Sequence, residues 1–243
     1  MGGLVKEPST DSRCILPVWA QVALGAWMAV VTAAAFLYLP AARGFAQPEA
    51  ARIVVFHVPC AIVAVAAYVV SAAYAIGYLR GRRLISDARC AASAGLGLLF
   101  TILATCTGMV FAHAQWGAAW NWDPRQTSIV MLMLVYAAYF ALRGAIKGAR
   151  VRARITASYS ILAGLVMPYL VFVLPRLAGG LHPSNTLTQR GGLSPEYRVV
   201  LVGATLGFVW LFVWLLRIET RICEHALESG ASPAAAFVLK ETD

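Results

Sequence analysis

The residues best equipped for chemistry in this chain are four histidines and one dense run of tryptophan, Trp116-Gly117-Ala118-Ala119-Trp120-Asn121-Trp122-Asp123-Pro124-Arg125. Indole is costly to leave facing water, so three of them so close together must lie against something flat and apolar. Lipid headgroups, another part of the chain or a planar ligand would each serve. Imidazole is the usual axial ligand of an iron porphyrin, and two imidazoles from separate elements can take both axial positions. Two of His57, His113 and His182 could do this, with indoles shielding the ring and cations such as Arg125 or Arg176 meeting its propionates.

Each of these residues has a plainer reading. His57 could bond a carbonyl of a neighbouring helix, and His182 and His113 could be ordinary residues of outer loops. His225 lies among Arg221, Glu224 and Glu228 and reads as solvated. Tryptophans gather in belts at membrane borders, and Trp19, Trp27 and Trp214 are further candidates for one. A belt accounts for one or two of Trp116, Trp120 and Trp122, and less well for all three beside Asp123. Asp123 has a local role available as a helix N-cap, with Pro124 at the first helical position and Gln126 three residues after the cap.

These residues need elements to position them, and composition says which. The chain has 243 residues, 60% of them hydrophobic and 13% charged, with a mean hydropathy of +0.71. That is too apolar for a water-soluble domain, and the expected class is an all-α polytopic membrane protein folded as one domain over 1–243. Six nearly charge-free runs can cross a bilayer, at about 15–39, 53–79, 91–111, 127–142, 155–174 and 199–216. Inside lipid every backbone amide needs an internal partner, so each must be a helix. The tryptophans then fall in a link at about 112–126, and Pro168 sits where a helix could kink.

Orientation follows from the basic residues. Of 20 Lys and Arg, only Arg43, Arg52, Arg125, Arg176, Arg190 and Arg198 fall on the side that carries the tryptophans. The rest occupy the ends of the chain and the links around 80–90 and 143–154, the pattern expected of the cytoplasmic side. Both termini are therefore expected in the cytoplasm, with short loops outside. This placement also argues against nucleic acid as the target of the net charge of +9. The cysteines form no Cys-x-x-Cys pair, which argues against a disulfide framework and against covalent c-type haem attachment to this chain.

Trp116-Gly117-x-x-Trp120-x-Trp122-Asp123, followed by Pro-Arg-x-Thr, resembles the tryptophan-rich WWD signature of the haem-handling cytochrome c assembly superfamily. Within it the chain is similar to protein C of the cytochrome c maturation system. His57 in Val55-Phe56-His57-Val58-Pro59 and His182 in Gly180-Leu181-His182-Pro183 match the family's two outer histidines, and Tyr136-x-x-Tyr139-x-Ala141-Leu142-Arg143 matches its fourth span. Two departures stand out, Ala118-Ala119 within the motif and His113 as an extra imidazole beside it.

The resemblance implies non-covalent haem b, with His57 and His182 as axial ligands of the iron. Trp116, Trp120, Trp122, Asp123 and Arg125 would form the binding platform. It also implies a bacterial inner-membrane protein whose WWD loop faces the periplasm. Haem would be delivered to a membrane-anchored chaperone (maturation protein E), with a small single-span protein D, ATP-binding cassette subunits A and B, and membrane lipid as further partners. No side chain is expected to act as a catalytic acid or base; the role is binding and transfer. The alternatives are a component of a single-complex cytochrome c synthase, which shares the WWD loop, and a haem-independent scaffold whose tryptophans are only a belt.

Overall fold

The computed structural model describes residues 16–42, 44–182 and 192–228. Cys14, Arg43, Pro183 and Arg190 lie outside them. Among the described residues there is no strand, and six helices are long and apolar enough to cross a membrane. They are α1 (Val18–Tyr38), α2 (Pro48–Gly81), α3 (Leu84–Trp116), α4 (Pro124–Ala145), α5 (Ala149–Ala178) and α6 (Pro195–His225). The all-helical, six-span class read from composition is the observed one.

α2 is the hub, packed against α3, α5 and α6. Its inner face is built from small residues, Ala64, Ala67, Ser71 and Ala75, all essentially fully buried. In a membrane the solvent outside is as apolar as the core, so close packing and interhelical hydrogen bonds must hold helices together. Ser93 donates to the carbonyl of Ala67 at 2.8 Å, and Ser71 donates to that of Cys90 at 2.9 Å while meeting Ser160 Oγ at 3.0 Å. The Tyr68 ring stacks on Tyr136 with centroids 3.6 Å apart. Gly97 makes room for it, since a Cβ there would stand 2.6 Å from Tyr68. α1 is held by the Trp27 indole N–H, which donates to the carbonyl of Gly203 on α6 at 2.9 Å. Large apolar side chains such as Leu134, Leu165 and Val199 point outward, as lipid-facing positions do.

The helices outrun the apolar stretches that announce them. α3 continues through His113 and Gln115 to Trp116, and α4 begins at Pro124. The link expected at 112–126 is therefore only 117–123, and Trp116 is the last helical residue. The reason is local. Gln115 and His113 are compatible with helix at a bundle end, and the chain stops only where Gly117 takes a positive φ of 76° and donates its N–H to the carbonyl of His113 at 3.0 Å. That is the left-handed glycine C-cap. The irregularity expected at Pro168 is a π turn, Tyr169–Val173, that begins directly after the proline. Missing its N–H, proline breaks the α ladder, and the wider turn absorbs the fault.

Candidate functional site

At the end of the bundle where α2 begins and α3 finishes, His57, His182, Trp116, Asp123 and Arg125 converge. His57, on the first turns of α2, turns inward against α3, and its Nδ1 lies 2.9 Å from the carbonyl oxygen of Ala104 and 3.1 Å from Thr107 Oγ1. A carbonyl can only accept, so Nδ1 carries the proton and donates to Ala104. The lone pair of Nε2 is left for a ligand. The plain reading of His57 as a partner of a helix carbonyl and the ligand reading are thus satisfied by different nitrogens of one ring. Gly108 permits the arrangement, because a Cβ there would stand 3.0 Å from His57 Cε1.

His182 lies in the segment after α5, and its ring centroid is 6.5 Å from that of His57, with the planes inclined by 32°. Asp123 connects its segment to the rest of the site. This aspartate caps α4, accepting the N–H of Arg125 at 2.9 Å on one oxygen, and on the other accepts the N–H of Leu181 at 2.7 Å. The residue before His182 is therefore tied to the last residue of the tryptophan link. Gly180 allows the approach, since a Cβ there would come within 2.5 Å of Asp123 Oδ2. Asp123 is 5% exposed and its carboxylate is used on these two amides, so within the expected platform it holds other residues rather than facing a ligand.

The link itself is stiffened by reciprocal bonds. Gln126 Oε1 accepts the N–H of Asn121 at 2.8 Å, and its Nε2 donates to the carbonyl of Ala119 at 3.0 Å. The capping partner expected of Gln126 was Asp123; it reaches two residues further back because the link folds over the helix start. Trp122 takes a positive φ of 52°, a backbone state that costs a bulky residue about 1–2 kcal/mol. Its indole is 76% exposed and meets Trp120 edge to face at 5.7 Å. Trp116 is half-buried and meets His182 edge-on at 6.5 Å. Phe111 and Phe45 extend the aromatic run behind it, at 5.7 Å from Trp116 and 6.0 Å from Phe111 respectively.

Arg125 stands within electrostatic reach of His57, Asp123 and Arg176. Two like charges beside an imidazole pair make this end of the bundle attractive to an anionic group. His113 is exposed at the last turn of α3. Nothing in residue type alone would have found Gly108, Gly180, Thr107 or Gln115. The last of these accepts the N–H of Ala46 and donates to the carbonyl of Gln47, both at 2.9 Å, and so pins the link between α1 and α2 against α3. A notch of about 210 Å³ lies there, lined by Phe45, Phe111, Trp116 and Leu181 among others.

The sequence pattern of the family described as Heme exporter protein C matches residues 6–232. The chain is similar to Heme exporter protein C of Paracoccus denitrificans, 30% identical over 212 residues that make up 86% of each chain. It is similar also to that of Rhodobacter capsulatus, 31% identical over 193 residues covering 76% of this chain and 77% of the relative. With the Escherichia coli K12 protein the identity is 29% over 196 residues, 81% of this chain and 79% of that one. The chain belongs to the Heme exporter protein C family, the protein C of cytochrome c maturation whose WWD signature its sequence resembles.

Proposed function

We propose that this protein holds haem b non-covalently between His57 and His182, against the shelf of Trp116, Trp120 and Trp122, and delivers it to a membrane-anchored haem chaperone. The observation that carries this reading is the 6.5 Å between the two imidazole centroids. Imidazoles on opposite sides of one metal, with bonds of about 2 Å and a ring radius of about 1.2 Å, have centres roughly 6.4 Å apart. Among the described residues no group of three or more metal-ligating side chains gathers. Two imidazoles are too few for a bare ion but suit a macrocycle that brings its own four nitrogens. The proton on His57 Nδ1 aims Nε2 at the iron, and Arg125 with Arg176 would meet the propionates.

Haem is the cargo here, and the side chains do the binding, orienting and releasing. The exposed indole of Trp122, held on strained backbone, suits a shelf that grips a ring without burying it, as transfer requires. In this reading the termini are cytoplasmic and the link at 117–123 faces the periplasm across the inner membrane. Protein D and transporter subunits A and B would be partners alongside the chaperone. The test is the haem content of the protein purified in detergent, read from its absorption spectrum. His57→Ala with His182→Ala should purify folded and without a Soret band; full haem content in that double variant would remove both histidines from the iron.

A further inference from the structure

At the opposite end of the bundle α3, α4, α5 and α6 enclose a cavity of about 380 Å³. Its apolar floor includes Gly95, Leu99 and Phe140, and its mouth carries Asp87, Arg143, Arg152 and Glu219. Asp87 and Arg143 are committed to each other through two hydrogen bonds of 2.7 Å, and Arg143 also donates to Thr156 Oγ1 at 3.2 Å. That pair is closed. Arg152 differs, for its buried Nε has no hydrogen-bond partner. Such a group is costly to leave unsatisfied and points to a missing acceptor. The mouth therefore offers one cation and one anion, Arg152 and Glu219, above an apolar floor.

Depth selects among ligands. Leu84 and Leu99 both line the cavity, so its wall follows α3 for about 22 Å, well into a hydrocarbon core of about 30 Å. A soluble anion would use the mouth and leave the floor uncovered. A partner helix, about 10 Å across, is too thick for this volume. An amphiphile fits both ends. Basic pockets between membrane helices commonly take lipid headgroups, and here the added carboxylate of Glu219 matches a headgroup whose positive charge carries N–H donors, as a primary ammonium does and a quaternary one does not. We propose that this cavity binds a phospholipid with a zwitterionic primary-amine headgroup. The phosphate meets Arg152, the ammonium meets Glu219, and the upper acyl chain lies on Gly95, Leu99 and Phe140.

The test uses the full chain in detergent, stripped of lipid and then offered dioleoyl phosphatidylethanolamine, phosphatidylcholine, phosphatidylglycerol or inorganic phosphate, with retention read by native mass spectrometry. One phosphatidylethanolamine should be retained, at least fivefold better than either other lipid, and inorganic phosphate should not displace it. Arg152→Gln should lower retention of all three lipids. Glu219→Gln should bring phosphatidylethanolamine down to the phosphatidylglycerol level, and Arg80→Gln, at the same end but outside the cavity, should change nothing. Gly95→Leu provides a variant that leaves the charges alone. A Cβ at this position makes only ordinary contact with Phe140, at 3.6 Å, so the new side chain should occupy the floor and expel lipid. Equal retention of the lipids, displacement by inorganic phosphate, or retention indifferent to Gly95→Leu and Arg152→Gln would overturn the proposal.

Discussion

Gly108 and Asp123 are the residues on which the imidazole pair depends without either being an imidazole. Adding a side chain at Gly108 brings it to 3.0 Å from His57 Cε1, and the ring must turn to escape. Gly108→Val should then lower haem affinity at least tenfold in a titration followed by absorption, with the helical signal in circular dichroism unchanged. Wild-type affinity in that variant would mean that the His57 ring position is not what binding requires.

Asp123 can be dissected by one substitution. Asparagine caps helices about as well as aspartate, so Asp123→Asn keeps the start of α4. However its amide turns, one of the two acceptors used by Arg125 and Leu181 is lost. We expect thermal stability within about 1 kcal/mol of wild type, together with weaker haem retention because the His182 segment is released. Loss of stability with haem retention unchanged would assign Asp123 to the helix cap alone.

At the scale of the elements, α2 and α3 form the frame, and the contact between them is set by glycine and aromatic rings. The Tyr68 ring lies between Gly97 and Tyr136 and has nowhere to move. Gly97→Ala should cost about 1–3 kcal/mol, the usual penalty of overpacking a filled core, and lower the midpoint of thermal unfolding in detergent. An unchanged midpoint would show that the two helices can separate there freely. This scale also shows what the sequence could reveal. Charge-free runs of bilayer length announce helices, and Asp123-Pro124 announces a helix start, because both signals are local. The end of α3 was hidden, since hydropathy fades at Phe111 while the helix runs to the glycine cap. The bond from Leu181 to Asp123, the glycines beside His57 and Asp123, and the pinning of the first loop by Gln115 join positions distant in the chain. Their meaning exists only once the helices are packed.

For the whole molecule, the imidazole pair sits against Ala104 of α3, about 30 Å of helix from Leu84 at the basic, cavity-bearing end. The excess of Lys and Arg at the cavity end is the ground for proposing that this end is cytoplasmic. In a variant lacking the native cysteines, His113→Cys should react with a membrane-impermeant maleimide in intact cells, and Arg82→Cys should react only after the cells are opened. Both positions are exposed. The reverse pattern would put the tryptophan link on the cytoplasmic side and end the delivery reading.

Coordination of one iron by two imidazoles 6.5 Å apart is tested most directly by electron paramagnetic resonance of the purified protein loaded with ferric haem. The wild type should give the low-spin signal of two nitrogen ligands. His57→Gly and His182→Gly should each give a high-spin signal that returns to low spin when free imidazole is added. A high-spin wild type, or a low-spin signal that neither substitution alters, would contradict the account.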